Sequence, residues 1–125
     1  MTNPVRLQLS RKKGFNLQAW SHEVNGLPAV MVTRSTRWGN PFRIGEPVSL
    51  PQAARWGWRL HFPDVVCADQ DIAVRKFAAC VALDDAMHPA IRRELGGKNL
   101  FCWCALGTPC HADVLLEIAN REPTP

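Results

Sequence analysis

Three cysteines, a histidine and an aspartate are concentrated in twelve positions near the end of this 125-residue chain: Cys102, Cys104, Cys110, His111 and Asp113. Thiolates act as nucleophiles and metal ligands, and imidazole acts as a base or a ligand. The apolar run over residues 99–104 predicts a strand on which Cys102 and Cys104 share one face. Trp103, on the opposite face, is expected to pack under a helix.

A helical pattern follows this strand, with Thr108 predicted as its N-cap and Pro109 as its first residue. Cys110 and His111 would then lie in the first turn, where free backbone N–H groups lower the pKa of a thiol. The candidate catalytic residues are therefore Cys110 as nucleophile, His111 as base and Asp113 as the group that orients His111 or binds a sugar hydroxyl. Alternatively, Cys110 is only packed, Asp113 only favours the helix dipole, and the helix start and His111 receive an anion such as phosphate.

The same stretch offers four ligands, the number that a tetrahedral zinc site takes: Cys102, Cys104, Cys110 and His111. Their spacing disfavours zinc. Cys-x-Cys is less usual than Cys-x2-Cys, and neighbouring side chains diverge by about 100° on a helix. We therefore expect reduced cysteines with no metal and no cofactor, and zinc is the alternative. Cys102 and Cys104 could also be small buried hydrophobic residues.

A second candidate segment is the basic loop that ends in Arg37-Trp38-Gly39-Asn40-Pro41-Phe42. A tryptophan can stack on a base, an asparagine can read its edge, and a glycine lets a ligand approach the backbone. In the alternative interpretation the loop is structural, with Trp38 and Phe42 in the core and Asn40 capping a turn. The candidate ligand-binding residues are Arg34, Arg37, Trp38, Gly39, Asn40 and Thr108.

Charge is distributed unevenly along the chain. Fifteen lysines and arginines against eleven acidic residues give a net charge of +4, and Glu23 is the only acidic residue before Glu46. This bias predicts either a surface for a phosphate-bearing partner or simply an uneven solvated surface. With no apolar run of eighteen residues and no signal peptide, we expect a cytoplasmic protein that does not enter the membrane. Five cysteines without an export signal favour reduced thiols.

The elements that must position these residues are predicted in the order β-β-α-α-α-β-α. This order indicates a single α/β domain over residues 1–125, with a three- or four-stranded sheet and a frayed tail at 121–125. Strands are predicted at 5–9, 29–33 and 100–104, and a loop at 12–26. Helices are predicted at 49–61, from 69, at 88–96 and from 108, and strand order is left open.

Both candidate segments directly follow predicted strands. The carboxyl ends of parallel strands meet at one edge of a sheet, where α/β proteins commonly bind ligands. We therefore expect the side chains of Trp38, Asn40, Cys104, Cys110 and His111 to lie close together.

The Trp38-Gly39-Asn40-Pro41-Phe42 motif, and Cys102-Trp103-Cys104 followed by Cys110-His111-Ala112-Asp113, resemble those of a bacterial and phage family called domain of unknown function 4326. The resemblance runs from about Arg6 to Asn120, and Ala105 stands where a proline is expected. The family's occurrence in phages and mobile elements implies work on nucleic acids or nucleotides.

Three functional hypotheses follow. The first is a small domain, with or without catalysis, for a nucleotide, nucleoside or nucleobase bound between the 34–42 loop and the helix start. The second is a noncatalytic nucleic-acid-binding accessory protein, and the third is a zinc-stabilised interaction module. Metal analysis separates the third from the others. Steep salt dependence with long DNA or RNA, absent with mononucleotides, separates the second from the first.

Overall fold

The computed structural model describes residues 3–58 and 65–121. At its centre is a three-stranded parallel sheet of β1 (Arg6–Gln8), β2 (Ala29–Met31) and β3 (Asn99–Cys102), in the order β1-β3-β2. Because β3 lies between the other two, the first two strands do not form a hairpin. Every residue of β3 is buried, as expected for a central strand covered on both faces.

The described residues form five α-helices beside the sheet: α1 (Leu17–Asn25), α2 (Leu50–Trp56), α3 (Gln70–Leu83), α4 (His88–Leu95) and α5 (His111–Asn120). The predicted α/β class is thereby confirmed, and the predicted element order is matched apart from one additional helix. None of the described helices is long and apolar enough to cross a membrane.

The additional helix is α1, in the segment that we predicted to be a loop. The Asn16 side chain caps its start by accepting a hydrogen bond from the Ala19 N–H, and Gly26 ends it in the left-handed conformation with φ 79°. Most of its side chains are exposed and only Ser21 is buried, so the segment lacks the apolar stripe that signals a helix.

Alternation along the strands divides their side chains between two apolar clusters. Leu7 and Phe101 face one side of the sheet, where they pack with Leu9, with Ala29 of β2, and with Phe15 and Leu17 at the start of α1. Leu100 and Cys102 face the other side. The larger cluster there includes residues of α3, α4 and α5: Phe77, Ile91 and Leu115. The sheet is therefore the middle layer of three, and the cysteine motif faces the larger core.

Local sequence signals locate three of the helix starts, two of them through a capping side chain. The Asp69 side chain caps α3, the Ser49 side chain caps α2, and α4 begins at His88 as predicted. Helix α2 ends at Trp56 with Gly57 as its C-cap, whereas we predicted an end near residue 61, which is outside the described residues. Residues 122–125 of the predicted tail are also outside them.

The start of α5 differs from the prediction. Cys110 is the N-cap and His111 is the first helical residue, so Thr108 is not the cap. The Thr108 hydroxyl instead donates to the Ala105 carbonyl at 2.6 Å, and the intervening Gly107 has φ 87°. This turn uses the residue that was expected to cap the helix, and α5 begins two positions later.

Candidate functional site

The carboxyl ends of all three strands meet at one edge of the sheet, because the strands are parallel. Trp38 and Cys110 belong to the larger apolar cluster, and Cys104 packs against it. The ring of His111 reaches the Val32 carbonyl just beyond β2. The two candidate segments, about 70 residues apart in sequence, are thus brought together on one side of the sheet.

Three thiols form a compact cluster at this edge. The Sγ atoms of Cys102 and Cys110 are 3.2 Å apart, and those of Cys102, Cys104 and Cys110 all lie within 4.8 Å of one another. Gln70, at the start of α3, extends its amide nitrogen to 3.7 Å from the Cys104 sulfur. The cluster forms because β3 ends at Cys102, the chain turns back, and α5 begins at Cys110. These three thiols, close together, could hold a metal ion.

Hydrogen bonding within the cluster distinguishes its members electrostatically. The pKa of Cys110 is well below its ordinary value despite burial. Hydrogen bonds with the thiols of Cys102 and then Cys104 lower it, and His111 lowers it further. Hydrogen bonds with the sulfurs of Cys104 and Cys110, and then burial, raise the pKa of Cys102. Deprotonation is therefore favoured at the Cys110 sulfur over its neighbours, whose thiols can donate to it.

His111 is adjacent to the sulfur cluster, but it is oriented toward the core. Its Nε2 is hydrogen-bonded to the Val32 carbonyl, and Phe77 packs against the ring edge-to-face at 5.5 Å between centroids. A carbonyl accepts, so Nε2 carries a proton, and Nδ1 faces the Cys110 sulfur at 3.8 Å. His111 can thus interact with the Cys110 sulfur through Nδ1. The atoms that lie close enough together to bind one metal ion are the three cysteine sulfurs.

Arg6 is a member of the site that sequence reasoning missed. Its side chain is 8% exposed, and Nη2 donates to the carbonyls of Thr108 at 3.0 Å and Ala105 at 3.4 Å. Its Nε lies 3.4 Å from a carboxylate oxygen of Asp113. Burial lowers the pKa of Arg6, but the Cys110 sulfur and Asp113 outweigh it, so the pKa is raised. Nη1 is buried and has no partner with hydrogen-bond geometry among the described residues.

Arg34 lies near the sulfurs, and Arg43 lies near Arg34. Arg34 donates through Nη1 to the Asn40 carbonyl. Burial, followed by the nearby guanidinium of Arg43, lowers the pKa of Arg34, and the sulfurs of Cys104 and Cys110 oppose this. The Nε of Arg43 is buried with no hydrogen-bond partner in the described part of the chain, while Nη1 lies 3.5 Å from the exposed carboxylate of Glu46. Two like charges therefore lie close to each other in a partly buried place, and Arg34 is the one nearer the thiols.

The centre of the 34–42 loop is packed into the protein. Asn40 is fully buried. Its Nδ2 donates to the Ala73 carbonyl at 3.1 Å, and its Oδ1 accepts from the Phe42 N–H at 2.9 Å. A Cβ on Gly39 would lie 2.6 Å from the Arg34 Cα, so this glycine permits a close approach of two backbone segments. These contacts match the structural interpretation of the loop, and the ligand-binding role of Trp38, Gly39 and Asn40 stays a prediction.

The remaining predicted site residues lie closer to the surface. Arg37 pairs with Glu94 at 3.1 Å, and its guanidinium lies 4.5 Å above the ring of Trp38. Asp113 pairs with Arg6, and burial raises the pKa of this carboxyl although Arg6 opposes the rise. The prediction that Trp103 packs under a helix is wrong. The residue is 48% exposed, because β3 ends one residue before it.

Comparison with known families gives one match. The profile of a family described as "Domain of unknown function (DUF4326)" matches residues 8–121. The chain belongs to this family. The match spans both motifs and confirms the resemblance seen in the sequence. No curated protein and no solved structure matches the chain significantly, so the function of this DUF4326 member has to be argued from its own site.

Sequence reasoning missed two residues of this DUF4326 site, Arg6 and Arg43. Arg6 alternates with apolar neighbours on β1, a pattern that indicates a solvent-facing position. Its partners, Ala105, Thr108 and Asp113, lie about 100 residues away in the sequence. No local pattern signals such contacts. Of the sequence features, only the basic bias of the first 45 residues indicated that arginines in this part of the chain contribute to a site.

Proposed function

We propose that this DUF4326 member binds a nucleotide at the carboxyl edge of its sheet, with a phosphate held between Arg34 and Arg43. The observation that carries the proposal is the arginine pair itself. Two like charges in a partly buried place disfavour each other, and the Arg43 Nε is buried without a partner among the described residues. A phosphate oxygen would supply the missing acceptor and oppose both charges, since arginine binds phosphate through charge-assisted and often bidentate hydrogen bonds.

The surroundings support the same ligand class. The carboxyl edge of a parallel sheet is the usual ligand position in α/β folds, and the N-terminus of α5 begins there at Cys110. The loop after β1 adds the exposed side chains of Arg11, Lys12 and Lys13 to this edge. Cys110, with its lowered pKa and with His111 beside it, would lie next to the bound ligand as a candidate nucleophile.

Calorimetric titration tests the proposal. Wild type and the Arg43→Ala variant would be titrated with inorganic pyrophosphate, with mononucleotides and with short oligonucleotides. We expect Arg43→Ala to lower the affinity for phosphate-bearing ligands about tenfold to a hundredfold, because the lost interaction contributes about 1.5–3 kcal/mol. Arg75→Ala is the matched control, because Arg75 is an exposed α3 residue paired with Asp71 at 2.8 Å. Unchanged affinity in Arg43→Ala, or no binding by wild type, would contradict the proposal.

Salt dependence separates this function from nucleic-acid binding. A site for one nucleotide forms few phosphate contacts, so its affinity should fall only modestly with salt. A steep salt dependence with long DNA or RNA, together with no affinity for mononucleotides, would instead favour the accessory-protein hypothesis.

A second candidate function, a zinc-stabilised module, is favoured by the sulfur cluster. Three thiolates suit zinc and leave the fourth tetrahedral position for water or a ligand. Elemental analysis and cobalt substitution test it, because thiolate-bound cobalt absorbs in the near ultraviolet. We expect Cys110→Ser to abolish stoichiometric metal and Cys80→Ser to retain it, since Cys80 is a free thiol on α3 outside the cluster. Metal-free wild type that does not take up cobalt would contradict this candidate.

A further inference from the structure

Two sulfurs at the carboxyl edge of the sheet lie close enough for covalent chemistry. The Sγ atoms of Cys102 and Cys110 are 3.2 Å apart, and both residues are free thiols. A disulfide needs a separation of about 2 Å, so a shift of about 1 Å would join them. The backbone already brings the two residues together, because β3 ends at Cys102 and Cys110 is the N-cap of α5.

The three thiols of the cluster differ in their access to solvent. Cys102 is 1% exposed and Cys110 is fully buried, whereas Cys104 is half-buried. The residues that follow Cys104 in the chain, 105–109, are all exposed. A reagent in solution therefore meets the Cys104 sulfur first, and this sulfur lies within 4.8 Å of the other two.

We infer that the cluster is a dithiol–disulfide centre, in which Cys104 is the entry thiol and Cys102 and Cys110 form a buried disulfide. The inference is independent of the nucleotide proposal, and it uses the sulfurs of the metal candidate for a different chemistry. The substrate class is a low-molecular-weight disulfide such as oxidised glutathione. Attack of a cysteine sulfur on a disulfide sulfur is the ordinary route by which disulfides form and exchange.

The exchange takes three steps in which atoms and electrons balance. The Cys104 sulfur attacks one sulfur of the small disulfide, the S–S bond of that disulfide breaks, and one small thiol leaves with the Cys104 proton. The Cys110 sulfur then attacks the Cys104 sulfur, and the second small thiol leaves with the Cys110 proton. In the third step the Cys102 sulfur attacks the Cys110 sulfur, and Cys104 becomes a thiol again by taking up the Cys102 proton. Two protein thiols are thereby oxidised to one disulfide, and the small disulfide is reduced to two thiols.

Incubation with oxidised glutathione tests the inference on wild type, Cys104→Ser and Cys80→Ser. The readout is the rate at which the disulfide between Cys102 and Cys110 forms, measured by mass spectrometry of the digested protein. We expect wild type to form this disulfide. Cys104→Ser should form it about tenfold more slowly, because access to the remaining sulfurs limits the exchange. Cys80→Ser is the matched control and should react at the wild-type rate, since Cys80 is half-buried like Cys104 but lies on α3 outside the cluster.

Several results would overturn the inference. One is wild type that forms no disulfide between Cys102 and Cys110, whether the three thiols stay free or hold zinc. Another is wild type that stops with glutathione bound to Cys104. A wild-type rate in Cys104→Ser would show that Cys104 is not the entry thiol.

A second measurement covers the case in which Cys104→Ser does not fold, which circular dichroism would detect. Brief labelling of folded wild type with iodoacetamide should modify Cys104 before Cys102 and Cys110, because Cys104 is the most accessible of the three. The opposite order would contradict the inference. The phosphate site is tested separately by the calorimetric titration, so the two proposals can fail independently.

Discussion

The two ends of β3 differ in how their polar groups are satisfied. At the amino end, the buried Asn99 side chain forms four hydrogen bonds. Its Oδ1 accepts from the Val5 N–H and from the Asn25 amide, each at 2.9 Å. Its Nδ2 donates to the Ser21 hydroxyl at 2.7 Å and to the Asn25 Oδ1 at 2.8 Å. This network joins β3 to α1 and to the residue before β1, and it uses the full capacity of the Asn99 amide.

At the carboxyl end of β3, the polar groups are only partly satisfied. Three thiol sulfurs lie within 4.8 Å of one another, and guanidinium nitrogens of Arg6 and Arg43 are buried without a hydrogen-bond partner in the described part of the chain. An unpaired buried donor costs about 1–3 kcal/mol, and so such groups are rare in folded proteins. The saturated end stabilises the fold, whereas the unsaturated end is where we propose that a ligand binds. Substitutions at the two ends should therefore change different measurable quantities.

The largest stability effect is expected for Asn99→Ala. This substitution leaves the Val5 N–H and the groups of Ser21 and Asn25 without their buried partner. At about 1–3 kcal/mol for each unsatisfied group, the free energy of unfolding should fall by about 3 kcal/mol or more. Urea denaturation followed by circular dichroism measures it. A loss below about 1 kcal/mol would show that this network does not stabilise the fold as proposed here.

An intermediate effect is expected for Arg6→Ala. Arg6 is an arginine at the carboxyl end with several internal partners, so it tests whether this end also supports the fold. Its removal frees the carbonyls of Ala105 and Thr108, but both residues are exposed and water can replace the lost donor. We expect a loss of about 1–2 kcal/mol in the same urea titration, close to the value of one hydrogen bond to a charged group. A loss as large as that of Asn99→Ala would remove the contrast between the two ends.

The smallest effect is expected from the titration of Asp113. Burial raises its pKa above the ordinary value of 3.8, although Arg6 opposes the rise. The folded protein then holds this proton more tightly than the unfolded chain does. The contribution to stability is therefore greatest below the ordinary pKa and is lost as the pH rises through the raised one.

Asp113→Asn should remove this pH dependence, and denaturation of wild type and variant over a pH series would detect the difference. The difference should be small because the Asp113 side chain is 53% exposed. The interpretation would be wrong if wild type gained stability relative to the variant as the pH rose through this range.

Much of the fold could be predicted from local patterns. The apolar runs at 5–9, 29–33 and 100–104 predicted the three strands. Ser49, Asp69 and His88 marked helix starts, because the signals that begin a helix act over a few residues. Helix α1 could not be predicted in this way, since its side chains are mostly exposed and it packs through few of them. The start of α5 was misplaced because the turn that ends at Thr108 uses the hydroxyl expected to cap the helix.

The amino-acid sequence was sufficient to predict an α/β domain, its family and two motifs at strand ends, because each depends on residues close together in the chain. The position of β3 between its neighbours, the gathering of three thiols, and the contacts of Arg6 and Arg43 depend on tertiary packing. Such contacts form between segments about 100 residues apart, and no short pattern specifies which buried nitrogen will lack a partner. The site is therefore built by the packing of the chain around β3, from side chains whose types were evident but whose neighbours were not.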